Sequence, residues 1–285
     1  METITLNNGV KMPLAGIGTF MMKPEEAEAA VISALEQGYT MIDTAAAYMN
    51  EKAVGRGMKA SGKAREEIFL STKLWPSQYS NAAKAIDDAL KRLDTDYIDL
   101  LILHQPVGDY MAAYHDMEQA VRDGKVKALG LSNFDDDNID KLKEVVENCE
   151  IKPAIVQVEA HPYYPQTELR EYLDAFGAHI MAWYPLGHGD KALQEEKVFT
   201  ELAEKYNKST AQIILRWHTQ MGNIVIPGSK NPAHIKDNID IFDVSLTDDE
   251  LAEIAKLANG VRYYTSSPKQ LDNYLAWAPD FDEQP

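Results

Sequence analysis

A (β/α)8 barrel of the α/β class is the fold this sequence predicts, on three observations. Eight short apolar runs alternate with amphipathic stretches at a spacing of roughly 25 to 30 residues, except before the last, as a parallel barrel requires. No run leads into G-x-G-x-x-G, because the "GIGTFM" of the first lacks its third glycine, and no G-x-x-x-x-G-K-[ST] occurs, which disfavours a doubly wound sheet. The chain has 285 residues, and barrels of about 250 residues form one domain, so a single domain over 1–285 is expected.

The elements follow in order. "ITLNNGVKM" opens the chain as a β-hairpin turning on Asn-Asn-Gly. The predicted barrel strands are "LAGIGT", "TMIDT", "IFLSTKL", "IDLLILH", "VKALGLS", "IVQVEA", "HIMAWY" and "NIVIPGS". Between them, apolar residues recur at helical spacing: Ala27/Val31/Ala34/Leu35, Ile86/Leu90/Leu93, Met117/Ala120/Val121, Ile139/Leu142/Val146 and Leu169/Tyr172/Leu173/Phe176. Gly38, Gly124 and Gly177 stand where helices stop, and "STAQ" and "TDDE", beginning at Ser209 and Thr247, read as capping boxes. The last 25 residues lose periodicity and are expected to lie as a C-terminal tail over the barrel.

Composition narrows the function. A formal net charge of -17 with no basic run repels phosphate backbones, so nucleic acid is excluded as the main partner. The N-terminus has no basic n-region or apolar h-region, and no segment approaches the roughly 20 apolar residues of a membrane span, so a cytoplasmic, membrane-free protein is expected. Cys149 is the single cysteine, which rules out disulfides within the chain and reads as a buried small apolar residue. The seven histidines show no H-E-x-x-H and no clustered ligand spacing, so no metal is expected. No partner protein can be named.

In a barrel the C-terminal strand ends line the active site. Asp43 closes the second strand, Lys73 lies near the close of the third, His104 closes the fourth, and Tyr48 follows in the loop after Asp43. Taken singly, Asp43 reads as a turn residue, Tyr48 as a rim aromatic and His104 as a hydrogen-bonded core histidine. Lys73 is harder to explain as packing, because burial disfavours an unpaired ammonium; Asp43 on the adjacent strand is its natural partner. A phenol titrates near ~10 in water and becomes useful near neutrality only beside a cation, which Lys73 supplies. A neutral histidine at the next strand end can orient a substrate oxygen.

Together the stretches "IDTAAAYMNE", "STKL", "LLILHQP", "LGLSNF", "QVEAHPYYPQ" and "WYPLG" resemble the aldo-keto reductases, from about residue 3 to Asn238. The resemblance implies a TIM barrel and reversible, nicotinamide-dependent reduction of aldehydes and ketones. It places the family's catalytic tetrad on Asp43, Tyr48, Lys73 and His104, with Tyr48 delivering the proton. It places Ser132, Asn133 and Gln157 on the nicotinamide carboxamide and Trp183 against its ring. Alone, Trp183 would read as barrel packing.

By the same resemblance "IPGSKNPAHIKDN" matches the adenosine-phosphate site, with Ser229, Lys230, His234 and Asn238 as cofactor residues and NADPH as cofactor, NADH being the alternative. The sequence departs from the family at Gly228, where many members carry lysine, and at His234, where many carry arginine. Met49 replaces a common glycine, Tyr184 a common serine and Phe20 a common tryptophan. Phe20, Trp75 and Trp277 are expected to form an apolar substrate pocket, with specificity in loops 105–116 and 187–195 and in the tail. Two other readings stay open: a Schiff-base aldolase using Lys73 as nucleophile, and a non-catalytic, nucleotide-sensing subunit.

Overall fold

The computed structural model describes residues 1–285. A two-stranded antiparallel hairpin, β1 (Thr3–Thr5) and β2 (Lys11–Pro13), opens the chain. Gly9 takes the positive φ of 86° that its turn demands. Eight parallel strands follow: β3 (Ile17–Gly18), β4 (Met41–Asp43), β5 (Phe69–Leu74), β6 (Ile98–Leu103), β7 (Val126–Ser132), β8 (Ile155–Glu159), β9 (His179–Trp183) and β10 (Ile224–Val225). Each pairs with the next in chain order. The two edges meet, because Gly16 N donates to Val225 O at 2.9 Å and Val225 N to Leu14 O at 3.0 Å. The result is a TIM barrel.

Strand alternation separates two apolar layers. Phe69, Leu100, Ile102, Ala128, Ile155, Met181 and Ile224 fill the barrel, joined at its foot by Leu6, Met12 and Leu14 from the hairpin region. Their sequence neighbours Leu70, Leu101, Leu103, Leu129, Val156 and Ile180 face the helices instead. Along β5 this alternation turns Ser71 and Lys73 toward Asp43, while Thr72 turns outward and donates to the Glu51 carboxylate at 2.6 Å.

The helices are α1 (Pro24–Glu36), α2 (Glu51–Ala60), α3 (Ala82–Leu93), α4 (Tyr110–Arg122), α5 (Ile139–Asn148), α6 (Thr167–Asp174), α7 (Lys191–Glu195), α8 (Lys197–Tyr206), α9 (Thr210–Gln220), α10 (Pro232–Ile239), α11 (Asp248–Ala255) and α12 (Pro268–Ala276). Both predicted capping boxes form, at Ser209 with Gln212 and at Thr247 with Glu250. Several elements differ from expectation. Helices α2, α7 and α8 have no sequence counterpart above, and α7 occupies part of the expected 187–195 loop. In α2, Gly55 and Gly57 interrupt the pattern; a Cβ on Gly55 would come 2.6 Å from Leu93 O, so the glycine permits helix–helix contact. The tail is not wholly aperiodic either, for Ser267 caps α12 and Pro268 opens it. No helix is long and apolar enough to cross a membrane.

Candidate active site

A cavity of about 740 Å³ lies over the C-terminal ends of the strands, lined by Asp43, Tyr48, His104, Ser132, Asn133, Gln157 and Trp183 among others. Asp43 ends β4, and the chain then makes one 3₁₀ turn, Ala46–Tyr48, which brings the Tyr48 ring back over the same face. Met49 ends that turn with φ at 54°, a left-handed conformation that costs a residue with a Cβ and that glycine adopts freely.

Lys73 lies behind the cavity wall, fully buried. Its Nζ is 2.6 Å from Asp43 Oδ2, 2.8 Å from Thr44 O and 3.3 Å from the Tyr48 hydroxyl. Asp43 Oδ1 accepts from Ser71 Oγ at 2.8 Å and from Gln157 Nε2 at 3.2 Å, so the buried carboxylate is saturated. Burial opposes the ammonium, but Asp43 and Tyr48 outweigh it and hold Lys73 above its ordinary range. Burial also pushes the Tyr48 phenol above 10, and the adjacent Lys73 only moderates the rise. This corrects the expectation of a phenol brought down by its cation: in the resting site Tyr48 keeps its proton. Burial, aided by the Lys73 charge, holds His104 well below 6.5. It is a neutral imidazole, its Nδ1 buried without a partner.

Ser132, Asn133, Gln157 and Trp183 are brought together on one wall of the cavity. Ser132 and Gln157 are register neighbours on β7 and β8. Asn133 sits at φ 66°, a left-handed position asparagine tolerates, from which Nδ2 donates to His104 O at 3.1 Å and Oδ1 accepts from Trp183 Nε1 at 3.2 Å. Trp183 is thus fixed at the cavity wall by Asn133. Phe20, Trp75 and Trp277 also line the cavity; Trp75 is buried, its ring 5.1 Å from His104, whereas Phe20 and Trp277 are exposed at the rim.

The adenosine-phosphate residues separate. Asn238 and Gly228 reach the cavity wall, whereas Ser229, Lys230 and His234 do not line it. Lys230 Nζ instead pairs with Glu26 Oε2 at 2.7 Å, and His234 stands exposed on α10. Sequence reasoning missed Glu26, and also Gln105, Tyr264 and Tyr274, which line the cavity. Gln105 could have been found beside His104, but the tail tyrosines carry no sequence signal. Away from the cavity, His115, Glu118 and Cys149 bring ligand-type atoms within 4.8 Å, a convergence invisible in the spacing of the histidines. Glu118 is committed there to His115 and to Ile151 N, and burial pushes the Cys149 thiol up to about 11.

A TIM barrel with its cavity over the C-terminal strand ends has the plan of a barrel enzyme. The family model of the aldo/keto reductase family matches residues 14–259, and the chain belongs to that family of nicotinamide-dependent oxidoreductases. Similar proteins include the glyoxal reductase of Bacillus subtilis, 42% identical over 260 residues, covering 90% of this chain and 92% of that protein. Methylglyoxal reductase DkgA of Escherichia coli K12 is 40% identical, covering 91% and 94%. Among solved structures, an aldo/keto reductase from Brucella melitensis superposes with a TM-score of 0.85 at 41% identity, covering 90% and 99%. A Bombyx mori aldo-keto reductase in complex with NADP superposes with 0.86 at 34%, covering 93% and 95%.

Proposed function

We propose that this chain, a single domain over 1–285 with its tail across the barrel mouth, reduces aldehyde or ketone carbonyls to alcohols with NADPH. The observation that carries the reading is the Lys73 ammonium held between Asp43 and the Tyr48 hydroxyl. The position of the tail is supported by Trp75 Nε1, which donates to Tyr274 O at 2.9 Å and Trp277 O at 3.1 Å.

The residues fit a nicotinamide cofactor. Trp183 offers an aromatic face, and Ser132, Asn133 and Gln157 offer hydroxyl and amide groups suited to a carboxamide. Gly228 packs so tightly against Gly18 that an added Cβ would stand 3.0 Å from Gly18 O, which leaves that part of the cavity wall without a side chain. Such a cofactor supplies hydride. The chain supplies the proton: Tyr48 gives its hydroxyl proton to the carbonyl oxygen as that oxygen gains charge, and Lys73, itself neutralised by Asp43, stabilises the phenolate left behind. The neutral His104 ring, 5.7 Å from the Tyr48 ring, is placed to donate a hydrogen bond to the same oxygen and so orient it. Trp75 and Trp183 give the reacting carbonyl an apolar wall, beside which each of these interactions gains strength.

The Schiff-base reading needs a neutral, accessible amine, whereas Lys73 is ion-paired, held above its ordinary range and walled off. The nucleotide-sensing reading leaves the buried Asp43–Lys73–Tyr48 cluster without a purpose. Following NADPH and NADH oxidation against aldehydes, ketones and keto-sugars, with two-carbon and three-carbon 2-oxoaldehydes included because of the relatives' names, tests the proposal. NADPH oxidation dependent on carbonyl and on Tyr48 is expected. Tight NADPH binding with no turnover across the panel would overturn it.

A further inference from the structure

We propose that Glu159 is a positioning residue which, by clasping the tail, sets the aromatic wall of the cavity and with it the discrimination between bulky and small carbonyl substrates. This rests on the reductase reading above. Glu159 ends β8, two residues beyond Gln157, and is completely buried, yet the proton-transfer cluster makes no use of it. A buried carboxylate is costly unless its oxygens are satisfied. Here Oε1 accepts from Tyr263 N at 2.7 Å and from His161 Nε2 at 3.0 Å, and Oε2 accepts from Tyr264 N at 3.0 Å. Two consecutive tail amides, in a segment with no strand or helix pairing, thus end on one side chain.

The preceding residue closes the clasp from its other side. The Arg262 guanidinium pairs with Asp135 at 3.2 Å and with Asp136, its Nε stands 3.8 Å from Glu159 Oε2 as the carboxylate's charge partner, and it lies 4.8 Å from the Tyr164 ring centroid. Acids just beyond β7 and at the end of β8 therefore fix Arg262, Tyr263 and Tyr264 together. What they aim is the Tyr264 ring, 5.3 Å from Trp183 and nearly perpendicular to it at 80°. The Tyr264 hydroxyl donates to the Tyr274 hydroxyl at 3.2 Å, and the Tyr274 ring stands 5.2 Å from Trp75. A shift of the two clasped amides would move the wall against which a bulky substrate must pack. A two- or three-carbon carbonyl would scarcely touch it. Tyr263, turned the other way, donates to Asp190 Oδ2 at 2.5 Å and ties the same clasp to the N-cap of α7.

Glu159→Gln keeps the volume but leaves one acceptor oxygen for two tail amides. Hydrogen exchange at the Tyr263 and Tyr264 amides, measured without substrate, is expected to accelerate by about tenfold or more relative to strand amides. The ratio of kcat/KM for an aryl aldehyde to that for a 2-oxoaldehyde is expected to shift by about tenfold, the scale of one misplaced apolar contact. In a Tyr264→Ala background, adding Glu159→Gln should shift the ratio no further, because the effect runs through that ring. Should Glu159→Gln fail to fold, Arg262→Gln opens the clasp from its other side and should shift the ratio the same way. An unchanged exchange rate, an unchanged ratio, or a ratio shift that survives in Tyr264→Ala would each overturn the proposal. A wild type that oxidises NADPH with neither carbonyl would overturn the reductase reading and this proposal with it; a working wild type with an unmoved ratio overturns this proposal alone.

Discussion

The Lys73 ammonium stands 3.3 Å from the Tyr48 hydroxyl and 4.9 Å from the centroid of its ring, with Asp43 2.6 Å away. One buried cation thus touches both an acid that neutralises it and a phenol whose anion it can stabilise. Lys73→Met is expected to cut kcat by about a hundredfold or more. Because Lys73 opposes the upward shift that burial imposes on Tyr48, its loss should move the phenol's titration to still higher pH. A pH-rate profile, with folding checked because Asp43 is left buried and unpaired, is the measurement. A profile that survives unchanged would make Lys73 purely structural.

Tyr48→Phe deletes the hydroxyl but keeps the ring beside Phe20 and His104. The expected result is a loss of about 3 kcal/mol or more of transition-state stabilisation with nearly unchanged NADPH affinity. Stopped-flow rates for the chemical step and fluorescence titration of NADPH separate the two quantities. Near wild-type chemistry would remove Tyr48 from the proton path.

Stability should fall with acid through two buried neutral histidines. Burial takes His218 to about 3, and it also lowers His104 well below 6.5. Well above 6.5 folded and unfolded states are both neutral at these positions, so neither histidine contributes a pH slope. As pH falls from 6.5 toward 3, the unfolded chain takes up protons that the folded chain refuses, and stability is lost. For His218 the loss is about 2 kcal/mol at pH ~5, with His104 acting in the same direction. Urea midpoints at several pH values check the sign, and His218→Gln should flatten the slope. A slope unaffected by that substitution would contradict the assignment.

How much of this was legible in the sequence depended on how local the signal was. Asp43, Lys73 and His104 could be read because each is an ionisable residue at the end of an apolar run, and strand ends in a barrel share one face. The Glu159 clasp could not: its partner amide in Tyr264 is 105 positions away, and a backbone N–H has no sequence signature. Helix α2 was hidden because Gly55 and Gly57 serve contacts with Leu93 and Val31 and so dilute the apolar period. For Lys230 the sequence showed a cation near an expected phosphate, but not the glutamate across from it on α1.

That pairing bears on cofactor choice. Glu26 Oε2 accepts from Lys23 N at 2.8 Å as part of the α1 cap, so the carboxylate beside Lys230 is held in place by its own helix. A 2'-phosphate reaching Lys230 would share the ammonium with Glu26 and meet its negative charge, whereas the 2'-hydroxyl of NADH would not. If Gly228 and His234 stand where the resemblance puts cations in many members, discrimination for NADPH should rest on Lys230 and be weakened by Glu26. Both side chains are partly exposed, 52% and 34%, so the effects should be modest. Lys230→Ala is expected to weaken NADPH by roughly five- to tenfold with little change for NADH, and the gap should narrow as salt rises. Glu26→Gln preserves an acceptor for Lys23 N and should tighten NADPH alone by about threefold at low salt. Dissociation constants for both nucleotides, for each variant at two salt concentrations, decide the matter. Equal changes for NADPH and NADH would mean that neither residue reads the 2'-phosphate, and a wild type that prefers NADH would overturn the choice of NADPH as cofactor.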